Sequence, residues 1–150
     1  MRGKPGPKWT VHVDAAPEAT YAYLVDITKH PEWGMDDMTV DSETQGPAKV
    51  GSRYQAEGTL QGKRNKSTVV VTDLDPPSRI EFEAEDARGI SGHVFTLTPQ
   101  DGGTQVTRQI YGVKQPFIAP LFLLIFKGAI DKNFNGALSK LKTKLETRPA

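Results

Sequence analysis

Two polar residues on neighbouring predicted strands, His93 and Arg108, are the side chains of this 150-residue chain with the clearest capacity for chemistry. Because side chains alternate between the two faces of a strand, His93 shares a face with Phe95, and Arg108 lies between Val106 and Ile110. A guanidinium on such an apolar face costs several kcal/mol unless it is paired or hydrated. We therefore expect a carboxylate partner, a hydrated cavity or an acidic ligand beside Arg108.

Structural explanations of both residues stay open. A one-residue bulge in the strand would turn Arg108 outward, and a structural ion pair would neutralise it inside. His93 is explained equally well as a hydrogen-bonded core histidine. The sequence alone therefore predicts a polar pair on an apolar face but does not assign its role.

The other polar groups form no catalytic or metal-binding motif. The chain has no glycine-rich phosphate loop, no zinc-protease helix motif and no nucleophile elbow. His12, His30 and His93 lack a carboxylate or histidine at the spacing of metal ligands, so we expect no metal and no cofactor. Asp36 and Asp37 form a formal acid pair, but a solvated loop explains them as well.

Composition excludes several classes of protein. A net charge of +1 without a basic stripe predicts that the protein binds no nucleic acid. The chain lacks cysteine and its first ten residues lack the apolar core of a signal peptide, so we expect a cytoplasmic protein. The apolar run Phe117–Phe126 is far shorter than the roughly 18 residues that cross a bilayer, and no transmembrane segment is predicted.

The predicted elements, in order, are a strand, a helical interruption, an antiparallel sheet and a C-terminal helix. WTVHV at 9–13 alternates like a strand, DAAPEATYAYLVDI has helical spacing, and TKHPEWG is a short turn or helical piece. Alternating segments joined by tight turns follow from 40 to 111, and about 116–146 is predicted as one long helix. The predicted organisation is a flexible lead-in at 1–8, one domain at 9–146 and a tail at 147–150.

The apolar face of the sheet is predicted to face the C-terminal helix, because the alternate residues are charged. Glu81 and Glu83 belong to the charged face, which we expect to contact water. The inward side chains are Tyr54, Ala56, Gly58, Leu60, Val69, Val71, Ile80, Phe82, Ala84, Phe95, Leu97, Val106 and Ile110. The matching stripe on the helix consists of Leu123, Ile130, Phe134, Ala137, Leu138, Leu141 and Leu145.

Leu121, Phe122 and Ile125 fall outside that stripe. Leaving them exposed would forfeit roughly 1.5–3 kcal/mol for each side chain. Three kinds of cover stay open: the loop around Trp33–Met38 acting as a movable gate, a second copy in a homodimer, or a shallow membrane contact.

Several local phrases, in this order, resemble those of the START-like superfamily, in particular its bacterial polyketide cyclase/dehydrase-like branch. They are APEATYAYLVDITKHPEW, GPAKVGSRY, DPPSRIEF and FTLTPQDGGTQVT, followed by a long terminal helix. The resemblance covers about residues 9–146 and implies an α+β helix-grip fold. In this fold a curved antiparallel sheet wraps around the C-terminal helix, and two short helices follow the first strand.

The resemblance also implies a cavity between sheet and helix for a hydrophobic small molecule such as a lipid or polyketide. Binding or transport of that molecule is the expected function, and a cyclase, aromatase or dehydrase activity and a membrane-docking or protein-interaction role stay open. Trp33 and Tyr54 are explained equally well as core residues. The residues expected to line the cavity are Trp33, Tyr54, Phe82, His93, Phe95, Arg108, Phe117, Phe122 and Phe126.

Overall fold

The computed structural model describes residues 1–34, 37–60, 62–115 and 119–147. Seven strands form one sheet, with two short helical segments after the first strand and two helices after the last. The strands are β1 (Lys4–Val13), β2 (Thr39–Ser42), β3 (Arg53–Leu60), β4 (Lys63–Asp75), β5 (Arg79–Asp86), β6 (Gly89–Gln100) and β7 (Gly103–Lys114). The helices are α1 (Pro17–Val25), a 3₁₀ helix (Ile27–Glu32), α2 (Ala119–Ile125) and α3 (Lys127–Glu146).

The sheet is antiparallel throughout, in the order β1-β7-β6-β5-β4-β3-β2. Consecutive hairpins produce β2 to β7, and the first strand then joins the last. The long C-terminal helix packs on one face of this sheet, which we call the inner face. The predicted α+β helix-grip architecture is confirmed.

The first strand begins at Lys4, five residues before the predicted start at Trp9. Much of the segment predicted as a flexible lead-in therefore belongs to the sheet. Pro5 and Pro7 obscured it in the sequence, but prolines are tolerated on an edge strand, and the pairing with β7 is irregular between Pro5 and Lys8.

The helix α3 packs on β1 through aromatic and leucine side chains. Phe134 stacks on Trp9 with ring centroids 4.2 Å apart, and the indole Nε1 of Trp9 donates to Asp131 Oδ1 at 2.9 Å. Further along the helix, Leu138, Leu141 and Leu145 are buried in the core. These contacts confirm the C-terminal part of the predicted helical stripe.

The predicted single helix is divided at Phe126, where the backbone (φ −102°, ψ 15°) departs from helical geometry. The N-terminal end of the predicted stripe was wrong, because Leu123 is 40% exposed. One helical wheel cannot be projected across a break in backbone conformation, so α2 does not continue the packing face of α3.

The outer face of the sheet carries the predicted charges, but Glu81 was wrongly expected to contact water. It is 7% exposed. Arg79 donates to Glu81 Oε2 at 2.7 Å, and the hydroxyl of Thr72 donates to its other oxygen at 3.0 Å. Both oxygens of the enclosed carboxylate therefore have a hydrogen-bond partner. Nearby, Arg2 makes a two-pronged pair with Glu83 at 2.7 and 2.8 Å.

Candidate functional site

The turn between β6 and β7 fixes where Arg108 lies. Asp101 (φ 50°) and Gly102 (φ 78°) are the two central residues of this tight hairpin, and both adopt the left-handed conformation that a type I′ turn requires. The resulting register places Arg108 opposite Phe95 on β6 and opposite Trp9 on β1. Side chains directly opposite in a sheet point to the same face, so Arg108 faces inward as parity predicted.

Three aromatic rings surround the guanidinium of Arg108. Its Cζ lies 4.9 Å from the ring centre of Phe134 on α3, 5.2 Å from that of Phe95 and 5.9 Å from that of Trp33. Aromatic faces attract a cation at these distances. Rings from the sheet, from the segment after the 3₁₀ helix and from α3 therefore converge on one positive charge.

His93 is the polar partner of Arg108. An Arg108 nitrogen lies 3.1 Å from His93 Nδ1, and because arginine has no acceptor, Nδ1 must accept. The other ring nitrogen, Nε2, then carries the proton and donates to Ser91 Oγ at 2.9 Å. Burial, and next the charge of Arg108, hold the pKa of His93 well below its usual range. The ring stacks on Phe82 at 4.9 Å and is neutral near pH 7.

No carboxylate among the described residues pairs with Arg108. Its Nε is enclosed and has no hydrogen-bond partner in this part of the chain, and the same holds for Nε1 of Trp33. Burial lowers the pKa of Arg108 to about 10, which leaves it charged at neutral pH. The predicted outward turn is therefore not seen, and no described carboxylate forms the alternative ion pair with Arg108. On the inner face, Nε of Arg108 and Nε1 of Trp33 are therefore hydrogen-bond donors without an acceptor among the described residues.

The sequence analysis missed His30 as a member of this cluster. His30 is buried, and its ring centre lies 4.8 Å from that of Trp33 and 6.0 Å from that of Phe82. Its Nε2 donates to the carbonyl of Leu24 at 2.8 Å, and burial lowers its pKa to about 4. A 3₁₀ helix has three residues per turn, so the spacing of His30 and Trp33 was the signal that placed both on one side.

Among the described residues, Tyr54, Phe122 and Phe126 have no ring contact with this cluster. Tyr54 is buried in the core on β3, where it pairs with Ser42 and Val69. Phe122 and Phe126, at α2, contact each other with ring centres 4.7 Å apart. Phe117 lies outside the described residues. The structure thus groups Trp33, Phe82, Phe95, His93 and Arg108, which the sequence analysis named, with His30 and Phe134.

The inner face is closed at one end and open at the other. At the closed end Phe95, Leu97 and Val106 are at most 3% exposed. Toward the end of β7, the inward side chains keep partial contact with solvent; they are Ala84, Ser91, His93, Arg108 and Ile110. Arg108 therefore lies at the boundary between packed core and accessible space. Two surface clefts, one on the outer face and one between the 3₁₀ helix and α3, contain none of the predicted site residues.

The described residues contain no group of three or more histidine and carboxylate side chains that could hold a metal ion. Asp37 accepts from both the backbone and the hydroxyl of Thr59 and pairs with Arg64, so it serves a surface network. Asp36, its neighbour in the formal acid pair, lies outside the described residues. Within the described part of the chain, no helix is long and apolar enough to cross a membrane.

Several solved structures share this fold. TTHA0849 from Thermus thermophilus is similar with a TM-score of 0.74 and 15% identity, over 92% of this chain and 94% of that one. CV1439 from Chromobacterium violaceum has a TM-score of 0.72 and 17% identity, over 95% and 97% of the two chains. Ara h 8.0201 has a TM-score of 0.68 and 10% identity, over 95% and 97%. At these identities the likeness shows the fold alone.

A comparison with curated proteins produced no match. A family model does match, over residues 8–146, and its description is "Polyketide cyclase / dehydrase and lipid transport". Because this match spans nearly the whole described fold, the chain belongs to the polyketide cyclase/dehydrase and lipid-transport family, and membership implies a cavity for a hydrophobic ligand.

Proposed function

We propose that the protein binds a hydrophobic carboxylic acid between the sheet and α3, and that it serves as a carrier or binding protein for that molecule. The observation that carries this proposal is the position of Arg108. Its guanidinium is charged, faces inward and has no carboxylate partner among the described residues. Such a group is costly to fold unless it is paired or hydrated, and its partial contact with solvent leaves it accessible to an anion.

The surroundings of Arg108 support a ligand with an apolar body and one acidic head. Phe134 is partly exposed beside the guanidinium and supplies ring surface for a hydrocarbon chain, while the buried rings of Phe82 and Phe95 form the packed apolar floor of the site. An ionised oxygen beside the guanidinium would gain a charge-assisted hydrogen bond, which is stronger than a neutral one. A fatty acid and an acidic polyketide share this chemistry, so the proposal names the acid group and not one molecule.

The hydrogen bonds of His93 favour binding over catalysis. A general base needs a free lone pair directed at the substrate. The Nδ1 lone pair of His93 is occupied by Arg108, and its Nε2 proton is directed at Ser91. His93 thus orients the guanidinium and is a positioning residue in this proposal.

The experiment uses Trp33 as an internal reporter, since its ring lies 5.9 Å from the guanidinium carbon. The chain has two tryptophans, so Trp9→Phe leaves Trp33 as the single indole. Titration of this variant with a long-chain fatty acid below its micelle concentration should change the Trp33 emission saturably, with one acid per protein.

The same titration of the urea-unfolded variant is the control and should give no saturable change. A cooperative thermal transition shows that the variant is folded. A linear or absent response of the folded variant would then contradict binding on the inner face. A dicarboxylic acid of low hydrophobicity should displace the fatty acid only weakly, because the apolar chain of the fatty acid also contributes to the affinity.

A further inference from the structure

The helix α2 exposes its apolar side chains to solvent. Leu124 is 73% exposed, Ile125 65% and Leu121 58%, and Leu123 and the adjoining Phe126 are each 40% exposed. We call these five residues the α2 apolar surface. Burying them would be favourable. Trp33, which was expected to take part in covering them, is buried in the core instead, and the five side chains remain exposed. Met35, in the Trp33–Met38 loop, lies outside the described residues.

The α2 apolar surface surrounds the helix and has no polar side among its members. Successive residues of a helix are about 100° apart, so positions 121 to 126 sample every direction around the axis. A protein groove would cover one side and leave the rest exposed. Immersion of the helix in an apolar medium covers all sides together.

A homodimer formed through α2 alone would bury too little surface to be stable. Seven helical residues extend for about 10 Å, whereas a stable interface buries roughly 800 Å² on each partner. Interfacial helices lie in the plane of the bilayer and enter it by about 5–10 Å, which is close to the diameter of one helix, so a bilayer can cover even a short helix. No other described helix presents such a surface for a dimer to enlarge.

Positive charges flank the apolar surface in the sequence. Lys114 precedes it, Lys127 follows it directly, and no charged residue lies between them. Asp131, the one acid between 114 and 132, is held by Lys127 at 2.6 Å and by Trp9 at 2.9 Å. Basic residues beside an exposed apolar helix favour anionic lipid head groups.

We propose that α2 docks the protein on an anionic lipid bilayer, with the α2 apolar surface entering the boundary between head groups and acyl chains and with Lys114 and Lys127 at the level of the phosphates. In the chain, α2 lies between β7, whose last residues belong to the open end of the inner face, and α3. This inference rests on the exposure of the apolar side chains and on the flanking charges, and it does not depend on which ligand binds between the sheet and α3.

The test is sedimentation of the full chain with phosphatidylcholine vesicles that contain or lack phosphatidylserine. We expect binding to the anionic vesicles that weakens with added salt. Leu124→Gln combined with Ile125→Gln should reduce the partition coefficient by about tenfold or more, since two exposed apolar anchors are removed. Lys114→Gln should reduce it by about fivefold on anionic vesicles and leave neutral vesicles unaffected.

Val50→Gln is the matched control, because Val50 is 58% exposed but lies far along the chain in a loop before β3. It should bind vesicles like the parent, and all variants should keep the parental melting temperature. Equal binding by the double variant, or no binding by the parent, would overturn the proposal. So would a parent that is a dimer by sizing and becomes a monomer in the double variant, because the surface would then be a protein interface.

Discussion

The arginines within the described residues occupy two contrasting environments. On the outer face and at the surface, carboxylate oxygens lie 2.5–3.7 Å from guanidinium nitrogens of Arg2, Arg53, Arg64, Arg79 and Arg88. On the inner face, Arg108 has three aromatic rings, an accepting imidazole and an unused Nε, and no described carboxylate pairs with it.

The difference indicates what each arginine does. The surface pairs neutralise charge within the chain, as Arg79 does for the enclosed Glu81. Arg108 is held in place by His93 and by ring faces, and these contacts position the cation without neutralising it. An anion that is not part of the described chain would complete the site, and this is the basis of the proposed ligand chemistry.

The largest expected effect concerns acid stability, because the inner face holds neutral histidines beside a cation. The pKa of His30 is about 4 when folded, and about 6.5 is usual for an unfolded chain. The unfolded state therefore binds the proton more readily, and the free energy of unfolding should fall as the pH drops from about 6.5 to 4. The loss from His30 is at most about 3 kcal/mol.

Urea unfolding at a series of pH values measures this loss. His30→Gln keeps a donor for the Leu24 carbonyl and should reduce the dependence between pH 6.5 and 4, and the part that remains belongs to His93, whose pKa is also lowered. His12→Gln, at a partly exposed histidine on β1, is the control and should leave it unchanged. Glu83, whose pKa is lowered by Arg2, contributes below the usual carboxylate range, so its effect appears at lower pH. An unaltered curve for His30→Gln would show that His30 is not buried as a neutral group.

A pair of arginine variants tests the contrast itself. Arg79→Leu removes two hydrogen bonds to the enclosed Glu81 and should lower the free energy of unfolding by about 2 kcal/mol, less than for a fully buried pair. Arg108→Leu removes a cation with no described counter-charge, so stability should stay within about 1 kcal/mol of the parent or rise. Urea midpoints compare the two. A loss for Arg108→Leu as large as that for Arg79→Leu would mean that Arg108 is a structural residue.

A smaller effect is expected from the residue that orients Arg108. His93→Leu removes the acceptor at 3.1 Å and should weaken fatty-acid binding about fivefold, the equivalent of one hydrogen bond. His93→Gln offers an amide oxygen and should restore most of the affinity. Titration of the Trp33 emission in both variants gives the dissociation constants. Equal affinities for the Leu and Gln variants would remove His93 from the account.

Much of the fold and part of the site could be predicted from the sequence. Period-two alternation predicted the inward direction of His93 and Arg108, because parity is a local property and one tight turn fixes the register. That no described carboxylate pairs with Arg108 could not be predicted, because it depends on contacts between distant elements. Phe134 illustrates this: it was assigned to the helix stripe, and its ring also lies 4.9 Å from the guanidinium.

Other features were missed for identifiable physical reasons. His30 was assigned to a short turn or helical piece and was not placed in the cluster, because its three-residue spacing to Trp33 is a single pair and not a repeated period. The prolines near the N-terminus concealed the start of β1, because proline indicates a loop unless the strand lies at an edge. The exposure of Leu123 follows from the break at Phe126, which the apolar run itself does not reveal.

One measurement tests the central claim most directly: the affinities of a long-chain fatty acid and its methyl ester, compared in the Trp9→Phe protein with and without Arg108→Leu. The two ligands share a hydrocarbon chain and differ in charge. Arg53→Leu, at an exposed arginine paired with Glu43, is the matched control. We predict that the acid binds about tenfold or more tightly than the ester, as a charge-assisted hydrogen bond implies, and that only Arg108→Leu brings the ratio near one. Equal affinities in the parent, or a preference for the acid that persists without Arg108, would contradict the account.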